Sequence, residues 1–329
     1  MPNDNNSNKQ NNSGIIYQGK EVSNYLGQID STTDKYPYIF LLLYVFYFGG
    51  NGILNPFFPV YLDDIGLSQT VKGILLALGP LVAMFSQPFW GIMGDRAKTK
   101  NTILKILLVS SAAIFVFFPM FTELWYVFVI YFIFMFFYSS INPTIDTITL
   151  DYLEKTKWKF GPIRMGGTIG FAIVTLVAGF IVENNINNMF IMYSIMLFVS
   201  FIFIFRIPPV KGYQFGGKKI SPAELIKDKK LVLLMGFGFA VQVTLGYYYS
   251  FYPVYFKQIG GDNALLGWAM FASALSEVPF LLFANKIVKR LGTVNTLIGS
   301  ALVTALRWLI MYMVTIAQQA RLANCLLGL

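Results

Sequence analysis

Residues 57–66 of this chain, Phe-Phe-Pro-Val-Tyr-Leu-Asp-Asp-Ile-Gly, return almost unchanged at residues 251–260, which read Phe-Tyr-Pro-Val-Tyr-Phe-Lys-Gln-Ile-Gly. Six of the ten positions are identical, and each residue lies 194 positions before its partner. The same spacing pairs four further residues with identical ones: Arg96, Thr99, Asn101 and Thr102 with Arg290, Thr293, Asn295 and Thr296. A register kept without a gap over this distance predicts two similar halves.

The composition around this repeat is that of a membrane protein. Of the 329 residues, 56% are hydrophobic and only 12% are charged, whereas a soluble domain carries about 25% charged residues. The apolar residues form runs of about 20, the length that crosses a ~30 Å hydrocarbon core. We therefore expect an all-α polytopic membrane protein, and neither a soluble enzyme nor a secreted disulfide-rich module.

Two residue types are nearly missing. The chain has no histidine and a single cysteine, Cys325, which excludes imidazole metal sites, histidine-dependent triads and an intrachain disulfide. We expect no metal, no cofactor and no enzymatic activity, with a membrane enzyme kept as a weaker alternative. The net charge of +9 indicates basic loops at a membrane surface rather than a nucleic-acid partner.

Nine apolar segments follow one another along the chain. They cover residues 36–62, 70–94, 101–121, 124–152, 161–182, 188–206, 231–256, 264–288 and 294–314. The even-numbered connections between them hold about 17 basic residues, against two in the odd-numbered ones. By the positive-inside rule, the N-terminus and the even-numbered connections are cytoplasmic, and we expect a multi-pass protein of the cell membrane.

The segments divide the chain into five predicted regions. These are a disordered cytoplasmic tail at 1–35, an N-terminal half of six helices at 36–206, a basic cytoplasmic linker at 207–230, the first three helices of a second half at 231–314, and an atypical tail at 315–329. Low hydrophobicity predicts the disorder of the first region. The Ser-Pro pair at 221–222 predicts a short helix in the linker.

The second connection carries a motif, with glycine at position 91, Asp95-Arg96 and then a basic cluster. It resembles the loop signature of the major facilitator superfamily, and residues 55–100 resemble its lactose-permease and phenylpropionate-permease-like group. The resemblance implies the major facilitator fold, alternating-access transport, and a conformational role for Gly91, Asp95 and Arg96. We expect Gly91 to allow a close helix approach, and Asp95 to accept hydrogen bonds from a helix N-terminus or a basic neighbour.

Charged residues inside the predicted spans indicate a site, because an ionisable group at the bilayer centre costs ~2.5–3.5 kcal/mol. Asp146 and Arg164 lie about nine residues either side of a turn near Lys155, a rise of ~13 Å that gives both one depth. Asn142 shares the helix face of Asp146. By resemblance, Asp146 and Arg164 bind solute hydroxyls and Phe171 stacks on a ring, with Asn142 beside them. A structural salt bridge with Phe171 as packing is the alternative.

A second pair, Glu277 and Arg307, lies almost symmetrically about Gly292, so that both residues are again expected at one depth. By resemblance to the same group, Glu277 and Arg307 couple transport to protons. Either Glu277 or Asp146 is a candidate for the proton carrier, because burial favours a neutral carboxyl group. A purely structural Glu–Arg pair is the alternative.

Together these features predict a proton-coupled symporter for a small polar or carboxylated solute, such as a sugar, a nucleoside or an aromatic acid. Repeated halves around a midplane site are the organisation of secondary transporters. The expected partners are the solute, protons and the lipid bilayer, and the expected state is a monomer. A drug/proton antiporter is the alternative, although 166–180 lacks the proline of the antiporter motif. Because the superfamily has twelve helices, the last three are expected to be missing, and a truncated, non-transporting fragment is a further alternative.

Overall fold

The computed structural model describes residues 36–212 and 229–327, and over these ranges the chain is helical with connecting turns. Ten α-helices follow in order: α1 Tyr38–Asp64, α2 Gln69–Arg96, α3 Lys100–Phe117, α4 Leu124–Tyr138, α5 Ile141–Leu153, α6 Phe160–Asn184, α7 Asn188–Ile204, α8 Lys229–Gln258, α9 Asn263–Leu291 and α10 Thr293–Leu327. A 3₁₀ turn, Phe118–Met120, follows α3. The prediction of an all-α fold is confirmed.

Seven helical stretches of the described residues are long and apolar enough to cross a membrane, and Asn188–Ile204 is a shorter apolar helix. Large hydrophobic side chains cover their outer surface, with Phe85 76% and Leu233 77% exposed. A water-soluble protein rarely exposes so continuous an apolar surface. The chain is therefore a multi-pass membrane protein.

The predicted segments and the helices differ in two places. The fourth segment is divided into α4 and α5, and α10 continues to Leu327, through most of the region predicted as an atypical tail. The tail at 1–35 and the predicted helix at 221–222 lie outside the described residues. The predicted domain boundaries at 206 and 230 fall near the end of α7 and the start of α8.

The break between α4 and α5 follows from Pro143. A proline has no N–H, so the carbonyl of Ser139, four residues earlier, loses its helical hydrogen bond. Gln87 on α2 donates its side-chain N–H to this carbonyl over 3.0 Å, and the hydroxyls of Ser86 and Ser139 are 2.6 Å apart. Gln87 of α2 thus supplies a hydrogen bond to the carbonyl that the proline leaves without a helical partner.

The internal repeat reappears in the helix boundaries. α1 ends at Asp64 and α8 at Gln258, while α2 begins at Gln69 and α9 at Asn263, in both cases 194 positions apart. The caps agree as well, since Ser68 accepts from Val71 N and Asp262 accepts from Leu265 N. Gly66 and Gly260 end the two helices at φ values of 79° and 94°, which favour glycine. The described part of the second half therefore repeats the first.

Helix α6 lies at the centre of the described structure, with α1 on one face. A Cβ atom at Gly170 would overlap the backbone of Val45, so the two helices touch through their main chains. Thr175 Oγ1 donates to the carbonyl of Gly52 over 2.7 Å. That carbonyl is open because Pro56, four residues later, has no N–H. Proline and threonine together fix α1 against α6.

The opposite face of α6 packs on α9 of the second half. A Cβ atom at Gly179 would lie 2.8 Å from the carbonyl oxygen of Asn263 and 3.1 Å from Cα of Gly267. Glu183 Oε2 accepts from the backbone N–H of Asn263 over 2.7 Å. The contact joins the last turns of α6 to the first turns of α9. Nearer the start of α6 and further along α9, both helices border a cavity.

Candidate functional site

The cavity has a volume of about 290 Å³ and is bordered by four helices, α1 and α6 from the first half and α8 and α9 from the second. Its walls are the following residues: Phe48, Asn51, Asn55, Arg164, Thr168, Phe171, Gln242, Tyr249, Met270, Ser273, Ala274 and Glu277. On each helix the residues are spaced by three, four or seven positions, which places them on one helical face. The volume is at the small end of ligand pockets.

Arg164 brings positive charge to the cavity from the first half. Its guanidinium carbon lies 3.8 Å from the ring centre of Phe48 and 5.8 Å from that of Tyr44. The ion pairs of the described residues join Lys72 to Asp63 and Lys100 to Asp95 and Asp151, and none includes Arg164. The guanidinium is therefore held by aromatic rings and keeps its donors available to the cavity.

Asp146 lies behind the cavity wall, at Tyr44. The Tyr44 hydroxyl, on a fully buried side chain, donates to Asp146 Oδ1 over 2.6 Å. Arg164 lies over the same ring, so both predicted residues lie beside Tyr44, and within the described residues no ion pair joins them. Asp146 and Asn142 are not among the cavity-lining residues of the described chain, and Asn142 Oδ1 is buried without a hydrogen-bond partner there.

Glu277 brings negative charge to the cavity from the second half. Its carboxylate interacts electrostatically with both Arg164 and Arg307, but within the described residues no ion pair joins it to either. Arg307 lies over Tyr248, with its guanidinium carbon 3.6 Å from the ring centre, and its Nη2 is buried without a hydrogen-bond partner in the described structure. Of the residues predicted from the sequence, the cavity thus contains Arg164, Phe171 and Glu277.

Neutral polar residues complete the wall, and the sequence reasoning did not select them as ligands. Asn51 is only 6% exposed, and its Oδ1 accepts from the Tyr138 hydroxyl over 3.1 Å, so this bond fixes the amide. Asn55 lies one turn further along α1, and Gln242 faces it from α8. The sequence does mark these residues, because an amide side chain inside an apolar span costs free energy unless it has a hydrogen-bond partner.

The loop-motif residues lie away from the cavity, in the last turns of α2. Lys100 is buried and pairs with Asp151 at 2.8 Å and more distantly with Asp95 at 4.0 Å, so the hydrogen bond expected at Asp95 stays a prediction. Within the described residues, no atom would come within 4 Å of a Cβ at Gly91, so the close helix approach expected there stays a prediction. Arg96 ends the helix as an exposed residue.

The described residues contain no group of three acidic or cysteine side chains that would hold a metal ion. The site therefore consists of one guanidinium, one carboxylate, amides, hydroxyls and aromatic rings. Such a set, contributed by both halves, is suited chemically to hydrogen bonds and ring contacts with a small polar molecule.

Comparison with known proteins identifies the family of this chain. The profile of the MFS_1-like family matches residues 38–327. The maltose permease of Geobacillus stearothermophilus is 26% identical over 306 residues, which are 88% of this chain and 76% of that protein. The probable 3-phenylpropionic acid transporter of Escherichia coli K12 is 23% identical over 276 residues, which are 82% of this chain and 72% of that protein.

A solved structure shows the same fold. The crystal structure of the nucleoside transporter NupG superposes with a TM-score of 0.61 at 18% identity, covering 78% of this chain and 68% of that one. The resemblance predicted from the repeat and the loop motif is thereby confirmed. The chain belongs to the MFS_1-like family of the major facilitator superfamily of membrane transporters.

Proposed function

We propose that this protein is a secondary transporter that carries a small polar or carboxylated solute by alternating access, in symport with protons. The observation behind the proposal is the cavity shared by the two halves, in which Arg164 of α6 and Glu277 of α9 border one space. A solute held between them contacts both halves at once. Its binding then favours the movement of one half against the other.

Glu277 is the proposed proton carrier at this cavity. It is the carboxylate that borders the solute space, and the guanidinium groups of Arg164 and Arg307 act on it. Protonation of Glu277 removes a negative charge that faces these two cations, so the cavity becomes more positive. A solute that is anionic, or whose oxygen atoms accept hydrogen bonds from these guanidinium groups, therefore binds the protonated form more strongly, which couples solute to proton. Asp146, bonded to Tyr44, is proposed to position Arg164 through the shared ring.

From the basic connections we infer a cytoplasmic N-terminus, and we propose that the protein lies in the cell membrane. With that orientation, the contact between the end of α6 and the start of α9 lies at the outer surface. The cavity then opens on the cytoplasmic side, which is the state that releases an imported solute.

Reconstitution of the full chain in lipid vesicles tests the proposal. We expect an inward proton gradient to drive uptake of at least one of labelled maltose, uridine and 3-phenylpropionate above that of protein-free vesicles. Arg164→Ala should lower this uptake by tenfold or more, whereas Arg206→Ala, an exposed arginine at the end of α7, should leave it unchanged. Uptake that survives Arg164→Ala would reject the cavity as the solute site.

The direction in which protons move relative to the solute can be measured separately. In weakly buffered vesicles, addition of the solute should make the outside medium more alkaline if solute and proton enter together. Acid release would instead indicate exchange of solute against protons, as in a drug antiporter. Glu277→Gln should abolish the pH change while the protein still exchanges labelled for unlabelled solute.

A further inference from the structure

The repeat continues from residues 57–66 into the cavity wall. Asn55 of α1 and Tyr249 of α8 are 194 positions apart, which is the repeat spacing, and both border the cavity. Each half thus contributes the residue at the same repeat position to the cavity wall. The side chains differ, one amide and one phenol, so whatever is common to the two positions belongs to the main chain.

A proline follows each of these residues by four positions. Pro59 and Pro253 are partners in the repeat, and both lie inside their helices. Because proline has no N–H, the helical hydrogen bonds to the carbonyl oxygens of Asn55 and Tyr249 are not formed. A carbonyl opened in this way inside a membrane requires another donor, from a neighbouring side chain, water or a bound molecule.

Two carbonyls opened by proline elsewhere in the chain have found side-chain donors, whereas those of Leu76, Met84 and Leu275, opened by Pro80, Pro88 and Pro279, have none among the described residues. The carbonyl of Gly52, opened by Pro56, accepts from Thr175, and that of Ser139, opened by Pro143, accepts from Gln87. Over residues 36–212 and 229–327, no side chain donates to the carbonyl of Asn55 or of Tyr249. Of the opened carbonyls without a side-chain donor among the described residues, those of Asn55 and Tyr249 form the repeat-related pair whose residues border the cavity.

We propose that the backbone carbonyls of Asn55 and Tyr249 are a pair of solute-binding acceptors, one in each half, that receive hydroxyl groups of the transported molecule. The inference rests on the proposed transport function and narrows its solute. A hydroxyl group donates a hydrogen bond, whereas an ionised carboxylate only accepts. The preferred solute is therefore a polyhydroxylated molecule rather than an aromatic acid. Such a molecule links the two halves through their main chains.

Replacement of each proline by alanine tests the proposal, since alanine returns the missing N–H and closes the carbonyl without removing a side chain that lines the cavity. We expect Pro59→Ala and Pro253→Ala each to weaken binding of maltose or uridine to the purified full chain by about fivefold, the worth of one hydrogen bond. Binding of 3-phenylpropionate should be weaker than that of the hydroxylated probe and unaffected by either change. Titration calorimetry measures the affinity for each of the three probes.

Pro56→Ala is the matched control in the same helix, because Thr175 already bonds the carbonyl that it would close. Its affinity for the hydroxylated probe should equal that of the wild type. The melting temperature of each variant in detergent separates lost binding from lost folding, and either of the two prolines suffices for the test if the other variant does not fold.

If Pro59→Ala and Pro253→Ala bind the hydroxylated probe as well as Pro56→Ala does, the carbonyl pair is rejected while the transport function stands. Stronger binding of 3-phenylpropionate than of either hydroxylated probe by the wild type has the same consequence. If the wild type binds none of the three probes, the proposed function fails, and this inference fails with it.

Discussion

Helix α6 has two faces that are built from similar residues and serve different purposes. Towards α1, in its own half, Gly170 brings two backbones into contact and Thr175 bonds an opened carbonyl. Towards α9, in the other half, Gly179 also allows a close approach, and a polar bond comes from Glu183 at the helix end. The first face holds a half together, and the second joins the halves.

The contacts on the two faces of α6 differ in how readily they can open. The contact with α1 includes a buried hydroxyl whose loss would leave a carbonyl unsatisfied within the protein. In the contact with α9, the close approach at Gly179 lies in the last turns of α6, and its polar bond is made by a carboxylate that water can replace. Alternating access requires one interface that persists and one that opens, and substitutions on the two faces of α6 should separate them.

The largest effect is expected on the face towards α1. Gly170→Ala puts a methyl group onto the backbone of Val45, and overlap with a main chain is relieved only by moving a helix, at a cost of ~3 kcal/mol or more. We expect little folded protein, measured as the monodisperse fraction after extraction from the membrane. Gly161→Ala on the same helix, where nothing lies within 4 Å, should behave as the wild type. An equal yield for both variants would show that the helices are not so closely packed.

A functional effect with intact folding is expected on the face towards α9. Gly179→Val fills the space against Asn263 and Gly267, so the outer contact no longer closes. Uptake should fall by about tenfold while the melting temperature stays within a few degrees of the wild type. Gly236→Val in α8, with no neighbour within 4 Å, is the control. A loss of folding as severe as that of Gly170→Ala would contradict the distinction between the two faces.

Much of this arrangement could be predicted from the sequence. The repeat spacing fixed helix ends and caps in both halves, because the same residues start and stop helices wherever they recur. Arg164 and Glu277 were selected because charge within an apolar span is costly unless it faces a polar space. Both arguments use only the residue types and their spacing along the chain. The helix boundaries of the described structure follow the repeat, and Arg164 and Glu277 border the cavity.

The remaining features depend on contacts that no spacing reveals. Tyr44 is one aromatic residue among many in α1, and nothing in the sequence marks it as the residue that lies beside both Asp146 and Arg164. Pro143 was visible, but the break that it causes is stabilised by Gln87 of a distant helix. Gly91 fits a motif for close approach, yet whether a glycine is needed depends on the neighbour, and the described structure has none there.

A smaller effect concerns the hydroxyl between α6 and α1. Thr175→Val removes the donor to the Gly52 carbonyl and should destabilise the protein by about 1 kcal/mol. Pro56→Ala added to this variant supplies an N–H to the same carbonyl from within α1, so it should restore part of the lost melting temperature. Thermal unfolding of the two single variants and the double variant measures this coupling. Strictly additive changes would show that the opened carbonyl does not link the two substitutions.

The smallest effect is expected where Glu183 crosses between the halves. Its carboxylate and that of Asp262 cap the same end of α9, at Asn263 N over 2.7 Å and at Leu265 N over 2.6 Å, but only Glu183 belongs to the other half. Glu183→Ala should therefore loosen the outer contact with little change in stability, whereas Asp262→Ala removes an ordinary N-cap worth ~1 kcal/mol and lowers the melting temperature.

The effects of removing Glu183 and of removing Asp262 are distinguished by how easily a reagent enters the cavity from outside. In a Cys325→Ser background, a cysteine in place of the cavity residue Met270 reports opening through its rate of labelling by an impermeant maleimide. Glu183→Ala should raise this rate severalfold, because α9 is released from α6. Asp262→Ala should raise it less, since it weakens α9 without cutting the bond between the halves. Equal rates for both would mean that the glycine contact alone closes the outer side, and that the charge at Glu183 contributes only helix capping.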